Sequence, residues 1–351
     1  MEQTLHPPAI KGRGAVYNPP NRFETISYEK DEEWNDPDDP GLRTIFYRDI
    51  SRSVISRSDS PDLGHTASVN PYRGCEHGCA YCYARPTHEY LGMSAGFDFE
   101  SKIMVKEDAP ELLREEFCSR KWVPTSIMMS GVTDCYQPVE RRLGLTSRCL
   151  EVFREFSNPV CIVTKNHLVT RDSDILADMA REKTAAVILS ITSLDPNLAR
   201  VLEPRASHPQ KRLDAIRELT AAGVPVGVNV APVIPAVNDH EIPAILRAAK
   251  EAGAVSAGYV FLRLPHAVAP LFEAWLGTHL PDRKDKVLNR IRASRGGKLY
   301  DSSFATRMKG EGIFARQIKD LFDLSRTKEG FAGFPHLSTT AFRRKGQMVL
   351  L

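Results

Sequence analysis

Six short apolar runs, each followed by a stretch with helical periodicity, constrain the fold of this chain of 351 residues more than any other feature. Apolar runs of this length are typical of strands buried on both faces of a parallel sheet. Strands that alternate with helices predict an α/β fold with that kind of sheet. The apolar runs cover residues 67–71, 126–130, 160–164, 185–191, 224–230 and 257–264. The helical patterns cover residues 110–120, 142–156, 173–182, 209–222, 241–252 and 270–276.

Segments of a different composition flank this alternating region. Residues 1–65 are rich in Pro, Asp, Asn and Ser, which predicts an extended leader with one short strand at 44–47. We expect residues 66–281 to form the α/β domain. We expect residues 282–351 to form a C-terminal helical cap and tail on the open side of the sheet. The helical patterns of this last segment cover residues 282–293 and 309–324.

Composition and cysteine usage predict a cytoplasmic protein. No apolar run approaches the roughly 20 residues that cross a membrane. The first residues lack the basic and apolar regions of a signal peptide. The 7 cysteines are an odd number, and three of them fall in one short run, which fits a reducing compartment better than a set of disulfides. We therefore expect a location in the cytoplasm and no membrane partner.

Three cysteines with the spacing Cys-x3-Cys-x2-Cys, namely Cys75, Cys79 and Cys82, carry the clearest chemical signal. Thiolates are the usual ligands of iron–sulfur clusters, and three of them on one loop can bind three irons of a cubic [4Fe–4S] cluster. The fourth iron then has no protein ligand and can bind a substrate or a cofactor. Gly74 and Gly78 suit a tight loop, because glycine adopts backbone angles that other residues resist.

Zinc is the alternative occupant of this loop. A structural zinc ion normally has four ligands, so His77, His88 or a distant cysteine would have to supply the fourth. The sequence contains no second Cys-x2-Cys pair. This interpretation predicts a zinc-stabilised nucleic-acid-binding protein without catalysis, which would be colourless, whereas an iron–sulfur protein is brown.

The cysteine run, with Tyr81 directly before its last cysteine, resembles the cluster motif of the radical S-adenosylmethionine (radical SAM) superfamily. The resemblance implies an enzyme with two cofactors, a [4Fe–4S] cluster and S-adenosylmethionine. It further implies that S-adenosylmethionine is cleaved to a 5′-deoxyadenosyl radical, which abstracts hydrogen from a substrate. An external electron donor, flavodoxin-like or ferredoxin-like, is implied as a partner. The six strand–helix units resemble the partial (β/α)6 barrel of the same superfamily, which is a TIM-like fold.

Polar residues at the predicted strand ends are candidates for contacts with S-adenosylmethionine, because barrel folds place their chemistry at the carboxyl ends of their strands. The second strand ends where the superfamily usually carries a Gly-Gly-Glu-like segment, and the match here is loose. Lys165, after the third strand, can pair with the methionyl carboxylate as a compact point charge. Hydroxyl groups after the fourth strand can bind the ribose. The candidates are Tyr81, Ser130, Gly131, Thr133, Lys165, Ser190, Thr192 and Asn229.

Four further runs, 133–140, 202–205, 231–239 and 262–265, sharpen the resemblance. They look like the branch of radical SAM proteins related to spore photoproduct lyase, often described as DNA-repair-photolyase-like, and like a bacterial subgroup of it. That branch implies a hydrogen-donating cysteine shortly before an aspartate, where this chain has Gly131. Cys135 lies just after Asp134 instead and is the candidate for this role. We expect the remaining cysteines to be buried small hydrophobes: Cys118, Cys149 and Cys161.

The charge distribution leaves a nucleic-acid partner open. The net charge of +3 is too small to predict such a partner by itself. Residues 29–39 are strongly acidic, and residues 283–298 are basic. The basic segment is either a solvated surface or a face that contacts phosphates. Its basic residues are Arg283, Lys284, Lys286, Arg290, Arg292, Arg295 and Lys298. A nucleic acid is thus one candidate substrate, and a peptide or small metabolite is the other.

Overall fold

The computed structural model describes residues 10–24 and 43–344, so the acidic run 29–39 lies outside the described residues. Ten strands occur in the described part of the chain. They are β1 (Ile45–Arg48), β2 (Ile55–Arg57), β3 (Ala67–Val69), β4 (Tyr72–Arg73), β5 (Lys102–Val105), β6 (Ile127–Met129), β7 (Val160–Thr164), β8 (Ala185–Ser190), β9 (Val226–Val233) and β10 (Ser256–Phe261).

Seven of these strands form one sheet in the order β10-β9-β8-β7-β6-β3-β2. β3 and β6 to β10 pair in parallel, and β2 lies antiparallel on the edge of β3. Each of the six predicted apolar runs overlaps one of the six parallel strands, so the predicted α/β fold with a partial (β/α)6 barrel is confirmed. The other three strands form a small sheet in the order β1-β5-β4. The sequence predicts β1 but not its pairing.

Most helices follow the strands as the periodicity predicts, although the short helix at Phe97–Ser101 was not predicted. The helices are α1 (Phe97–Ser101), α2 (Ala109–Cys118), α3 (Glu140–Leu143), α4 (Leu145–Phe156), α5 (Ser173–Arg181), α6 (Pro196–Leu202), α7 (Pro209–Ala221), α8 (Ile242–Glu251), α9 (Val268–His279), α10 (Lys284–Ala293) and α11 (Gly312–Lys328). The predicted helix 142–156 is interrupted at Gly144, whose left-handed backbone (φ +59°) ends α3 and begins α4. α6 was not predicted, although Asp195 caps it by accepting a hydrogen bond from Asn197 N.

The two faces of the main sheet differ in burial, because successive side chains point to opposite sides of a strand. Ile127, Ile162 and Val187 are fully buried in the main hydrophobic core. Met128 and Ile188, on the other face, are half-buried. This second face lines the interior of the partial barrel. No helix among the described residues is both long and apolar enough to span a membrane.

The leader packs onto the rest of the protein at several places. β1 pairs with β5, and β2 extends the main sheet beyond β3. Residues 10–24 run beside the segment that leads into α1, where Ser94 Oγ donates to Pro19 O at 2.7 Å and Asn21 Nδ2 donates to Met93 O at 2.9 Å. The division of the chain into domains at residues 65 and 281 stays a prediction.

The C-terminal segment has two parts with different positions. α11 packs beside β10 and α8 at one edge of the sheet, with the rings of Tyr259 and Phe322 4.7 Å apart. The tail, residues 331–344, does not lie over the open side as expected. It crosses the amino-terminal ends of the strands, where Ala332 N donates to Val255 O before β10 at 3.0 Å and Ser338 N donates to Lys183 O before β8 at 2.8 Å. Its last described residues reach the approaches to β7 and β6: Arg343 N donates to Phe156 O, and Arg344 Nη2 donates to Trp122 O, both at 2.8 Å.

Candidate cofactor site

The three cysteines lie in a tight loop directly after β4, here called the cluster loop (residues 74–84). Gly78 N donates to Cys75 O at 3.3 Å, and Cys82 N donates to Cys79 O at 3.2 Å, so the chain turns twice within the loop. Gly74 and Gly78 have φ angles of +78° and +63°, the left-handed region that favours glycine. The side chains of Cys75 and Cys79 are buried, and that of Cys82 is half-buried.

The three thiols are close enough to influence each other's ionisation. Burial raises the pKa of Cys79 well above its usual value, and the sulfurs of Cys75 and Cys82 add to the rise while Lys165 opposes it. Burial also raises the pKa of Cys82 to about 11, against the opposing charge of Arg85. Three thiols gathered on one loop, beside two cationic side chains that can offset thiolate charge, are a donor set that fits an iron–sulfur cluster.

Both histidines considered as zinc ligands belong to a hydrogen-bond network around the loop. His77 Nδ1 is 3.3 Å from Asp134 Oδ2, and its Nε2 is 3.1 Å from Asn166 Nδ2. Burial opposes the charged form of His77, yet the Asp134 carboxylate helps raise its pKa to about 10. Burial lowers the pKa of His88 to about 4, and its Nε2 donates to Lys102 O at 2.8 Å. The described residues include no group of three His, Cys, Asp or Glu side chains that meet around a single metal ion, whereas the three thiolates of a cluster loop bind three different irons.

A buried ion pair supports the loop from behind and connects it to the leader. Arg85 Nη2 donates to Cys79 O at 2.8 Å, and the same guanidinium pairs with Glu100, where both side chains are fully buried. Glu100 in turn accepts hydrogen bonds from Gly14 N at 3.2 Å and from Ala15 N at 2.7 Å. One carboxylate therefore links the backbone of the leader to the position of a cysteine in the cluster loop.

The end of β6 also contacts the cluster loop. Thr133 Oγ1 donates to Gly74 O at 2.7 Å, and Gly131 O accepts a hydrogen bond from Tyr83 Oη at 2.5 Å. The guanidinium of Arg263, which follows β10, lies 4.8 Å from the centre of the Tyr83 ring. Residues that follow the first and the last parallel strands thus meet at the carboxyl-end rim of the partial barrel.

Three of the predicted cofactor residues meet at one buried carboxylate, that of Glu203. Thr192 Oγ1 donates to Glu203 Oε1 at 2.5 Å, and the Tyr81 hydroxyl donates to the same oxygen. Lys165 Nζ is 3.5 Å from that oxygen, donates to Ala231 O at 2.9 Å, and lies 5.8 Å from the centre of the Tyr81 ring. The ends of β7, β8 and β9 therefore converge on the cluster loop.

The other predicted residues lie around this point with fewer contacts. Ser130, with φ of +83°, accepts a hydrogen bond from Cys135 N on its Oγ at 2.9 Å. Ser190 is buried, and its backbone oxygen accepts a hydrogen bond from Arg212 Nη1 at 3.0 Å. Asn229 is half-buried on the interior face of β9. All eight predicted cofactor contacts therefore lie in the cluster loop, along the interior face of the sheet or at its carboxyl edge.

The remaining cysteines separate into two groups. Cys135 is fully buried in the main core, where burial raises the pKa of its thiol well above the usual value. Its role as a hydrogen donor stays a prediction. Cys149 and Cys161 are buried, as predicted, but Cys118 at the end of α2 is exposed, because it lies on the side of that helix opposite the buried Leu113 and Phe117.

Comparison with known proteins decides the family. The sequence profile described as Radical SAM superfamily matches residues 69–249, which is more than half of the chain. The chain belongs to the radical SAM superfamily. It is therefore a radical SAM enzyme, and membership implies an iron–sulfur cluster, S-adenosylmethionine and a source of electrons.

Curated relatives and solved structures agree with this membership. An uncharacterized protein of Mycobacterium tuberculosis is 32% identical over 240 residues, which cover 68% of this chain and 71% of the relative. A protein of Pseudomonas phage M6 named radical SAM Nalpha-GlyT isomerase is 23% identical over 197 residues, 56% of this chain and 39% of the relative. Spore photoproduct lyase complexed with dinucleoside spore photoproduct superimposes with a TM-score of 0.56 at 16% identity, over 81% of this chain and 79% of that one. This last likeness shows the fold.

Sequence reasoning missed several residues that organise this radical SAM site. Glu203 falls in the run 202–205 and Asp134 in the run 133–140, two of the runs that carry the family resemblance, yet neither received a role. Arg212 Nη1 donates to Ser190 O at 3.0 Å, and its guanidinium pairs with Glu203. Only the resemblance could have pointed to Glu203 and Asp134, and Arg212 lies outside the runs that carry it. A charged residue in a helix or loop is normally solvated, so its sequence context did not mark it as buried.

The basic segment 283–298 does not form one exposed face. Arg295 is buried, with 3% of its surface exposed, and its guanidinium donates to Leu262 O at 2.7 Å and to Thr306 O at 3.0 Å. Arg290 is 3.6 Å from Asp239 and Lys284 is 3.4 Å from Glu273 in ion pairs. The interpretation of residues 283–298 as one continuous face that contacts phosphates is therefore wrong. Three of the basic residues are exposed: Arg283, Lys286 and Lys298.

Proposed function

We propose that this enzyme binds a [4Fe–4S] cluster through Cys75, Cys79 and Cys82 and binds S-adenosylmethionine beside it. One observation carries the proposal. The ammonium group of Lys165, at the end of β7, lies 5.8 Å from the ring of Tyr81 inside the cluster loop. A cationic side chain and a three-thiol loop thus share one site at the carboxyl ends of parallel strands, which is where barrel enzymes place their chemistry.

Different residues of the site bind different parts of S-adenosylmethionine. Lys165 pairs with the carboxylate of S-adenosylmethionine as a point charge. Ser130, Gly131 and Thr133 supply backbone and hydroxyl oxygens at the end of β6 for its ammonium group. Ser190, Thr192 and Asn229 supply polar groups for the nucleoside. A bound cluster would supply the electron for reductive cleavage of S-adenosylmethionine, which would in turn supply a 5′-deoxyadenosyl radical for hydrogen abstraction from the substrate.

The same proposal includes a partner and a location. The electron comes from an external flavodoxin-like or ferredoxin-like donor. The enzyme works in the cytoplasm, where a reducing environment keeps the thiols free to bind iron.

Replacing Cys75, Cys79 or Cys82 with Ala, one at a time, tests the cluster assignment. We expect each variant to lose the visible absorbance of the reconstituted cluster and the cleavage of S-adenosylmethionine, because the loop offers no spare thiolate. The measurements are an iron count and a spectrum after anaerobic reconstitution. Cys118→Ala is the matched control, since Cys118 is exposed and lies outside the loop, and it should retain full iron content. A loop variant with full iron content and activity would refute the assignment, and a colourless zinc-containing parent would favour the zinc alternative.

A nucleic acid is the second, narrower candidate for the substrate. At the rim of the barrel, the rings of Tyr83 and Phe304 are 44% and 49% exposed. Arg263 lies over the first ring and Arg307 over the second, at 4.8 Å and 4.6 Å. Exposed aromatic rings beside arginines are the groups that stack on nucleobases and attract phosphates. A peptide or small metabolite is the alternative substrate.

A further inference from the structure

Glu203 differs from the other buried carboxylates because one of its two oxygens contacts three residues of the proposed cofactor site. Oε2 pairs with the guanidinium of Arg212, and both side chains are almost completely buried. Oε1 faces Tyr81, Thr192 and Lys165. Arg212 holds one oxygen of the carboxylate in place. The other oxygen contacts three residues of the proposed cofactor site.

The arginine is itself held by the backbone, so the carboxylate has little freedom to move. Arg212 Nε donates to Ser207 O at 2.8 Å, and its Nη1 donates to Ser190 O at 3.0 Å. Arg212 therefore connects the end of β8 to α7. Burial opposes ionisation of Glu203, but the charges of Arg212 and Lys165 hold the pKa of this carboxyl well below its usual value.

The segment that carries Glu203 is attached to the cluster loop on both sides of that residue. Ala80 N donates to Leu202 O at 2.9 Å, and Arg205 N donates to His77 O at 3.3 Å. Arg205 also pairs with Glu76 at 3.0 Å. A displacement of Glu203 would therefore shift both the cluster loop and the strand ends.

Glu203, Arg212 and Lys165 together carry one net positive charge, which is available to an anionic ligand. Arg212 offsets the charge of Glu203, so the positive charge of Lys165 is not cancelled. Lys165 donates to Ala231 O, and 15% of its side chain is exposed. The Glu203 side chain is fully buried. It therefore contacts the three proposed cofactor residues but does not line the part of the site that is open to solvent.

We propose that Glu203 is a positioning residue that, through the oxygen it shares with Tyr81 and Thr192, aims Lys165 at the carboxylate of S-adenosylmethionine. The inference rests on the proposed function, because it takes Lys165 as the residue that binds this carboxylate. It adds a residue that acts through another one. A glutamine at this position must turn an NH2 group toward either Arg212 or the three donors on the other side, so it cannot satisfy both.

The test compares Glu203→Gln with Glu140→Gln, a matched control. Glu140 is also fully buried, accepts hydrogen bonds from Tyr72 Oη at 2.5 Å and Thr146 N at 3.0 Å, and pairs with Arg171 at 2.7 Å. It therefore has the same kinds of partner but touches none of the proposed cofactor residues. We expect both cluster-loaded variants to keep the iron content of the parent. Glu203→Gln should bind S-adenosylmethionine roughly 10-fold more weakly, measured by anaerobic calorimetric titration, while Glu140→Gln binds it as the parent does.

A double variant separates positioning from a general structural effect. Lys165→Met should weaken binding, and adding Glu203→Gln to it should weaken binding no further, because Glu203 acts through Lys165. If the losses in the double variant are additive, this inference is overturned and the proposed function stands. The same holds if Glu203→Gln binds S-adenosylmethionine like the parent while Lys165→Met binds it weakly. Parent-like affinity in Lys165→Met would overturn both. If Glu203→Gln does not fold, Arg212→Lys, which keeps the charge but loses the forked contact, should show the same loss, and its absence would refute the inference.

Discussion

Gly14 shows how a single residue of the leader supports the proposed site. A Cβ atom at this position would lie 1.7 Å from Gly78 O and 2.9 Å from Ala80 N, both backbone atoms of the cluster loop. Gly14 N also donates to Glu100, the carboxylate that pairs with Arg85. The leader therefore approaches the loop so closely that a side chain has no space.

Gly14→Ala should push the leader away from the cluster loop. We expect a loss of about 1–3 kcal/mol in the free energy of unfolding, the usual cost of overpacking, together with lower retention of iron after reconstitution. Thermal or denaturant unfolding and an iron count measure the two effects. Gly64→Ala is the control, because a Cβ atom there meets no atom within 4 Å and its backbone is not left-handed. Equal stability and iron content in the two variants would contradict the proposed contact.

At the scale of elements, the tail packs against the end of the barrel that lies opposite the proposed cofactor site. Leu337 packs in a cluster with Cys161 and Ala186, residues of β7 and β8 on the interior face of the sheet. The ring of Phe342 is 6.2 Å from those of Phe117 and Phe156. The tail thus closes the amino-terminal end of the barrel with apolar side chains, while the carboxyl end carries the polar residues.

Leu337→Ala should destabilise the protein without changing the cofactor site. We expect a loss of about 2–3 kcal/mol in the free energy of unfolding, since burying a leucine and filling its cavity contribute about this amount. Leu324→Ala in α11 is the same substitution at a side chain that is 69% exposed, and it should cost less than about 0.5 kcal/mol. Denaturant unfolding compares the two, and affinity for S-adenosylmethionine should stay at the parent value in both. Similar stabilities would show that the tail is not part of the packed barrel.

At the scale of the whole molecule, the net charge is only +3, and several basic residues of the segment 283–298 are paired or buried. Arg295 is bonded to backbone carbonyl groups, and Arg290 and Lys284 are in ion pairs. A nucleic acid would therefore be held mainly at the rim, where aromatic and arginine side chains lie together, and only weakly by long-range attraction.

This distribution predicts that binding of single-stranded DNA or RNA, if that is the substrate class, depends on stacking at the rim. Phe304→Ala should weaken binding by about 5-fold to 150-fold, the range that loss of one stacked base gives. Phe334→Ala is the control, because this ring is 43% exposed but lies near Gly227 at the opposite end of the barrel. Fluorescence titrations over a range of salt concentrations measure both. The cluster-loaded parent failing to bind at low salt would favour a peptide or a small metabolite.

The sequence alone determined the order of the six parallel strands along the chain, most of the helices between them and the three-cysteine loop. These features depend on residues that are neighbours in the chain, so periodicity and spacing record them. Even the position of the site at the carboxyl ends of the strands follows from the strand–helix alternation. The strand-end residues Lys165 and Thr192 could be selected for the same reason.

The tertiary structure alone decided which distant residues complete the site. Glu203 meets Tyr81 across 122 positions of the chain, and Gly14 N reaches Glu100 across 86. It also decided that Arg295 is buried and that the tail closes the end of the barrel away from the cluster loop. Such contacts depend on the path of the whole chain, and a charged residue or a leucine has the same local pattern whether it is packed or solvated. The sequence therefore indicates where the chemistry lies, while the fold decides which residues hold it in place.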